Sequence, residues 1–188
     1  MSYVERRRFL WILLLVGLAL FAIAANATTL TRLRLEDLAQ EATAVARLRC
    51  LGAESFWEHG EIWTETRFEV VEREKGLLPG IVTVRLLGGS VQHLHSRVDG
   101  VPTFRPGEEV YLFLWGKEGE PYRVLGWSQG TFRISRNGDS GLETVTQDSA
   151  ATPVFDSRMH AFRREGIRNL PVALFRERLH KALRQQKE

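Results

Sequence analysis

The two histidines His93 and His95 are separated by one residue. In an extended segment, alternate side chains point the same way, so the two imidazoles would lie on one side. Pairs with this spacing occur in zinc sites, but a zinc site needs three or four ligands. Glu58, His59 and Asp99 are candidates to complete one, although their positions do not show that they converge. Two interpretations stay open, a zinc site or a solvated loop, and the solvated loop is favoured.

Aromatic side chains provide a second kind of candidate, an interaction surface for a glycan or a peptide. Trp63 and Trp127 are its residues, and Trp63 falls on the outward face of a predicted strand together with Glu65 and Arg67. Exposed apolar patches are usually either covered or used in binding. The favoured alternative is that a helix near one end of the chain covers Trp63.

No motif for catalysis or for a cofactor is present in the sequence. The serines Ser90, Ser96 and Ser128 do not lie in a nucleophile motif. The paired carboxylates Glu108 and Glu109 follow a Pro-Gly turn, where charged side chains keep the turn solvated. We therefore expect a protein that is not an enzyme and holds no cofactor, with a zinc-dependent enzyme or metal-binding protein at His93 and His95 as the alternative.

Residues 1–27 have the pattern of a signal peptide. Three arginines precede an apolar run at 9–24, and Ala25-Asn26-Ala27 then supplies the small residues that a signal peptidase recognises. The apolar run is shorter than the ~20 residues that a spanning helix prefers. We expect cleavage before Thr28 and export to the periplasm or the medium. An uncleaved helix that anchors the protein in the membrane is the alternative.

Composition and charge favour one globular domain with a basic tail. The chain has 188 residues, 44% of them hydrophobic and 26% charged, which suffices for a buried core. Residues 28–156 carry fourteen Lys and Arg against nineteen Asp and Glu, a net charge of −5. Residues 157–188 carry nine against three, a net charge of +6. The single cysteine, Cys50, excludes an intramolecular disulfide and is expected to be buried as a small apolar residue.

The segment FRPGEEVYLFLW at 104–115 is the most apolar run after the signal peptide. Its apolar residues alternate between two faces and leave neither face polar, which indicates a strand covered on both sides. A period of two also runs through 44–57, 62–70 and 81–87. With two shorter segments at 122–126 and 130–135, the pattern predicts about six strands, and the turn pair Asn137-Gly138 would permit a further short strand near 142–145.

The predicted fold class is mainly β, a small β-barrel with a short N-terminal helix and a C-terminal amphipathic helix. The barrel domain, including the short helix within 29–41, spans 28–146. Small polar residues suggest a linker at 147–156. A basic helical tail follows at 157–188, and residues 171–186 are expected to pack on the barrel through Phe175, Leu179 and Leu183.

Residues 44–134 resemble the netrin-type OB barrel of the tissue inhibitors of metalloproteinases. The similar segments are FEVVEREKG at 68–76, IVTVRLLGG at 81–89 and FRPGEEVYLFL at 104–114. They also resemble a group of exported bacterial proteins of unknown function. The resemblance implies a fold and not a function. Those inhibitors chelate zinc through an N-terminal cysteine, whereas this chain after cleavage would begin at Thr28.

The function expected from these features is an exported, non-enzymatic binding or interaction module of the cell envelope. Its expected partners are another envelope protein and, through the basic tail, a membrane surface. Nucleic acid is not expected as a partner of an exported protein. A further alternative is an accessory domain of a protease or of a surface assembly.

Overall fold

The computed structural model describes residues 32–138, 140–151, 154–156 and 159–185. The predicted signal peptide at 1–27, and the alternative of an uncleaved membrane anchor there, lie outside these residues. Across the described ranges, no helix combines the length and the apolar character that crossing a membrane would require.

The described chain is mainly β, with one α-helix near each of its ends. The helices are α1 (Leu35–Glu41) and α2 (Val172–Arg184). The strands are β1 (Ala44–Glu58), β2 (Glu61–Lys75), β3 (Ile81–Leu87), β4 (Gly89–Val91), β5 (Leu94–Ser96), β6 (Glu109–Trp115), β7 (Arg123–Val124), β8 (Thr131–Arg136), β9 (Glu143–Gln147), β10 (Val154–Asp156), β11 (Ala161–Arg163) and β12 (Leu170–Pro171). Short 3₁₀ helices occupy Trp127–Gly130 and Asp148–Ala151.

One large antiparallel sheet organises these elements. Its strands follow the order β12, β9, β8, β6, β1, β2, β3, and β7 pairs with β6 as an eighth strand. Two separate two-stranded sheets are formed by β10 with β11 and by β4 with β5. The mainly β class and the helices near both ends are thereby confirmed.

Strand β6 lies between two cores. The first core contains Ala44, Ala46, Leu48, Cys50, Phe68, Leu78, Val82, Val84, Leu86, Val110, Leu112, Leu114, Tyr122 and Val124. The second core contains Leu38, Ala39, Ala42, Val45, Tyr111, Phe113, Phe132, Val145, Phe175, Leu179 and Ala182. Alternate residues of β6 enter opposite cores because strand side chains alternate. The prediction of a strand covered on both faces is confirmed.

The hairpin of β1 and β2 supplies much of the first core. A register shift between Cys50 and Gly52 marks a β-bulge in β1. Cys50 is buried, as expected, and burial raises the pKa of its thiol. The bulge bends β1, so its first half pairs with β6 while the whole strand pairs with β2.

The edge of β3 that does not pair with β2 contacts the chain just before β7. Tyr122 donates its backbone N–H to the carbonyl of Thr83 over 2.8 Å, and Arg85 donates to the carbonyl of Tyr122 over 2.8 Å. Two residues later, Val124 pairs with Leu114 of β6. The backbone from β3 through Tyr122 to β7 and β6 is therefore connected by hydrogen bonds.

An ion-pair network crosses the outer part of the sheet. Arg47 donates to Glu109 over 2.8 Å and to Glu143 over 2.9 Å, which joins β1 to β6 and β9. Hydrogen bonds from Arg47 and Arg136 lower the pKa of Glu143 to about 2. At a pH above the pKa of a glutamate in the unfolded chain, the network contributes fully to the stability of the fold. This contribution is lost as the pH falls towards 2, where Glu143 becomes protonated.

Helix α2 covers the second core, as the sequence predicted. Phe175 and Leu179 are fully buried and Leu183 packs at the edge of the core. The Phe175 ring lies 5.0 Å from that of Tyr111, whose hydroxyl has no hydrogen-bond partner among the described residues. Burial raises the pKa of Tyr111 to about 12. The helix packs through apolar side chains, and ion pairs with β2 lie beside them.

Those ion pairs are made by two residues of α2. Arg176 contacts Glu72 and Glu74, and His180 Nε2 lies 2.6 Å from the Glu74 carboxylate. The Glu74 side chain is 2% exposed. A carboxylate this buried needs both partners, so the contacts fix the position of the helix on the sheet.

The segments around α2 differ from the predicted linker and continuous helical tail. Residues 147–156 hold the end of β9, a 3₁₀ helix with buried Ser149 and Ala150, and β10. Gln147 donates its side-chain N–H to the carbonyl of Gln129 over 2.6 Å. Within 159–171, β11 and β12 are strands, and α2 begins only at Val172. The small polar residues are buried against backbone groups, which their composition alone does not reveal.

Candidate binding site

The β4–β5 hairpin contains His93 and His95, for which the sequence favours a solvated loop. Its turn is formed by Gln92, with a positive φ of 53°, and His93. Gly89 allows the hairpin to approach the β1–β2 sheet closely. A Cβ added there would lie 2.2 Å from Thr64 Oγ1 and 2.3 Å from Ser55 Oγ. Glycine is therefore required at this position, which also has φ +133°.

A cleft of about 530 Å³ lies on one side of this hairpin, and we call it the polar cleft for its hydroxyl and imidazole groups, although apolar side chains such as Leu86 and Phe104 also line it. Thr64 donates its hydroxyl to the carbonyl of Gly88 over 2.6 Å, so Ser55 is the donor in the 2.8 Å hydrogen bond between the two hydroxyls. Ser90 Oγ lies 2.8 Å from His95 Nδ1. His95 Nε2 has no partner in the described part of the chain, so it is available to a ligand.

An apolar cleft of about 340 Å³ adjoins the hairpin and shares His95 and Val98 with the polar cleft. Trp57 and Leu94 line it and are 55% and 47% exposed. Ile62, at the paired end of β2, is buried beneath them. We call the two clefts with the β4–β5 hairpin the hairpin site. It combines apolar anchors, hydroxyl groups and an imidazole.

The structure places the predicted metal ligands in different parts of this hairpin. His93 lies in the turn and His95 on β5, so the alternation of an extended strand does not apply to the pair. Glu58 pairs with Arg85 over 3.0 Å, and both histidines are exposed. Among the described residues, no three His, Cys, Asp or Glu side chains form a group that could hold a metal ion.

Trp63 and Trp127 are both partly exposed. The guanidinium of Arg123 lies 6.0 Å from the ring centre of Trp63. Trp127 lies in the first 3₁₀ helix, and its carbonyl accepts a hydrogen bond from the Thr131 hydroxyl over 3.0 Å. Trp63 does not belong to the second core that the helices cover. The prediction of an interaction surface at these two residues stays a prediction.

Sequence reasoning missed Leu94, and it counted Trp57 among the aromatic residues of a possible binding face without selecting it as a site residue. The position of Trp57 was the signal that could have identified it. Trp57 lies on the core-facing side of β1, close to the turn that joins β1 to β2. The cross-strand pairs Trp57 with Ile62 and Phe56 with Trp63 put the two tryptophans on opposite faces of the sheet. The first core does not extend to this end of β1, so Trp57 faces inward and yet remains exposed.

The residues of the hairpin site indicate what the site can do chemically. Its geometry is suited to binding, because exposed apolar side chains lie beside hydrogen-bonding groups held in place by their neighbours. Comparison with known proteins finds no family model, no curated protein and no solved structure that matches this chain.

Proposed function

We propose that the protein is an exported, non-enzymatic OB-like β-barrel that acts as a binding module of the cell envelope. Its hairpin site binds an extended segment of another envelope protein. The observation that carries this proposal is the half-exposed Trp57 beside Leu94, with the free Nε2 of His95 next to both within the described chain.

The barrel is supported by the backbone contacts of Tyr122. Its hydrogen bonds to Thr83 and Arg85 bring the edge of β3 to the segment that leads into β7. Since β7 pairs with β6, these contacts support a closed ring of β6, β1, β2, β3 and β7 around the first core. An isolated parallel bridge between Val84 and Tyr122 adds to this support.

Binding of a protein segment is supported by the chemistry of the hairpin site. Tryptophan is enriched among the residues that dominate binding energy at protein interfaces. Within the described chain, β5 pairs with β4 alone, so one edge of β5 lacks a neighbouring strand. An extended segment can hydrogen-bond to such an edge while its side chains enter the flanking clefts. The partner segment would place an apolar side chain against Trp57 and polar groups near His95.

Trp57→Ala should weaken capture of the partner. We expect a tagged protein to retain one envelope protein in stoichiometric amount, and Trp57→Ala to weaken its binding by tenfold or more because interface tryptophans often contribute about 2 kcal/mol or more. Trp115→Ala is the matched control, since Trp115 is also 55% exposed but lies at the end of β6. Equal retention by both variants would place the partner elsewhere on the protein.

Export is tested at the N-terminus. Protein recovered from the native envelope should begin at Thr28, because Ala25-Asn26-Ala27 presents small residues at the two positions a signal peptidase recognises. N-terminal sequencing of that protein measures the start directly. An intact Met1 in the membrane fraction would instead show an anchored protein, and in the cytosolic fraction it would contradict export.

A further inference from the structure

A cleft of about 840 Å³ lies away from the hairpin site, beside helix α2. Its walls are the chain at 32–36, the 3₁₀ residue Gln129, the segment 164–167 and the C-terminal half of α2. Five basic and two acidic residues line it, which leaves an excess of three positive charges. We call it the basic cleft. This excess stands out because residues 28–156 as a whole carry a net charge of −5.

Two of the five basic residues already have partners. Arg32 pairs with Asp156 over 2.9 Å and with Glu165 over 2.6 Å, and Arg34 pairs with Asp37 over 2.9 Å. The other three, Arg164, Arg178 and Lys181, make no ion pair and no side-chain hydrogen bond within the described ranges. The basic cleft thus presents three exposed cations that form no ion pair within the described ranges, against one lining carboxylate, Glu36, that also forms none.

The cleft also has a polar floor. Gln129, Gln147 and Ser149 line it and are 3%, 8% and 3% exposed. Gln147 donates to the carbonyl of Gln129, and Gln129 Oε1 accepts the N–H of Leu33 over 2.8 Å. The Ser149 hydroxyl has no hydrogen-bond partner in the described part of the chain. Among the described residues, the fully buried side-chain group without a partner is the Tyr111 hydroxyl, so the Ser149 oxygen still reaches the space of the cleft and can donate to a ligand there.

We propose that the basic cleft binds a phosphate group. Guanidinium groups donate paired hydrogen bonds that match phosphate oxygens, and an ammonium adds a compact charge. Arg164, Arg178 and Lys181 supply these donors, and Ser149 supplies one more from the floor. Leu33 and Ile167 on the walls would contact an apolar substituent. The ligand is a phosphate ester, either a soluble one or the headgroup of a phospholipid, and this second site goes beyond the proposed function.

The test uses phenyl phosphate as the soluble probe, with binding measured by titration calorimetry on the purified protein. We expect saturable binding, and a loss of tenfold or more in affinity for the double variant Arg178→Gln, Lys181→Gln. Arg67→Gln with Arg184→Gln is the matched control, because it removes the same charge from exposed residues outside the cleft. The control should stay within about twofold. Ser149→Ala changes no charge and should also weaken binding.

The source of the phosphate is decided by vesicles of phosphatidylcholine with and without phosphatidylglycerol. A phospholipid headgroup is the ligand if binding to the anionic vesicles is lost in the cleft variant and kept in the control. Phenyl phosphate binding without binding to either kind of vesicle identifies a soluble ester. If neither probe binds saturably, or if cleft variant and control weaken equally, the proposal is wrong. Trp57→Ala should bind both probes normally, so this outcome is independent of the hairpin site.

Discussion

Leu112→Ala should lower the free energy of unfolding by about 2–5 kcal/mol, the range for leucine truncation in a well-packed core. Leu112 is fully buried at the centre of β6. It pairs across the sheet with Ala46 on one side and with Thr131 on the other. Truncation of Leu112 leaves a cavity. Because β1 and β8 are hydrogen-bonded to β6 on either side, they cannot move easily into this cavity, and it should persist.

Urea unfolding measures this effect, with Glu118→Ala as the control. Glu118 is exposed in the loop between β6 and β7, and its truncation should change the free energy by no more than about 0.5 kcal/mol. The slope of the transition should match the wild type in both variants, so the midpoints can be compared directly. Equal midpoints would show that β6 is not the centre of the fold.

The long strands could be predicted because one physical rule governs each of them. In the middle of β1 and β2 and along β3, a period of two separates core residues from more exposed ones, as the observed burial shows. In β6 the alternation disappears because both faces are covered, and a continuous apolar run is the expected signature. The C-terminal helix could be predicted for a similar reason, since its apolar residues recur every fourth position.

The short elements could not be predicted, because their stability comes from contacts distant in sequence. The β4–β5 hairpin has three residues in each strand and lies against Ser55 and Thr64, more than twenty residues earlier. Residues 148–151 look like a linker by composition, yet Ser149 is buried. Neither side-chain volume nor polarity in a local window contains this information.

The candidate sites could be predicted only in part from the sequence. His95 was selected for its spacing from His93, and the structure gives it a different neighbour, Ser90. The three cations of the basic cleft lie at 164, 178 and 181, and the hydroxyl beneath them at 149. Only folding brings such positions together. The basic tail can be recognised from its charge in the sequence. The basic cleft, which three basic residues of that tail line, is evident only in the folded structure.

Phe175→Ala should lower the free energy of unfolding by about 3–5 kcal/mol, the usual cost of removing a buried phenylalanine. Its ring lies 5.0 Å from Tyr111 and 5.1 Å from Phe132, so it joins α2 to both β6 and β8. Loss of this ring leaves a cavity beneath the helix. It should also expose apolar surface of the second core that binds a hydrophobic dye.

Leu174→Ala is the control on the same helix. Leu174 is 47% exposed, and its truncation should cost no more than about 1 kcal/mol because little apolar surface returns to water. Thermal unfolding at low and high salt then separates packing from charge. The apolar contribution of Phe175 should persist in high salt, whereas the ion pairs of Arg176 with Glu72 and Glu74 are weakened by screening.

The competing role of α2 is contact with a membrane surface through its basic side chains. If Phe175→Ala and Leu174→Ala unfold alike, while binding to anionic vesicles depends on Phe175, the helix would be an interfacial element whose apolar face enters the lipid. Because Phe175 is fully buried between two strands of the second core, we expect the opposite. The helix should remain on the sheet, and any contact with lipid phosphate should then depend on the cations of the basic cleft.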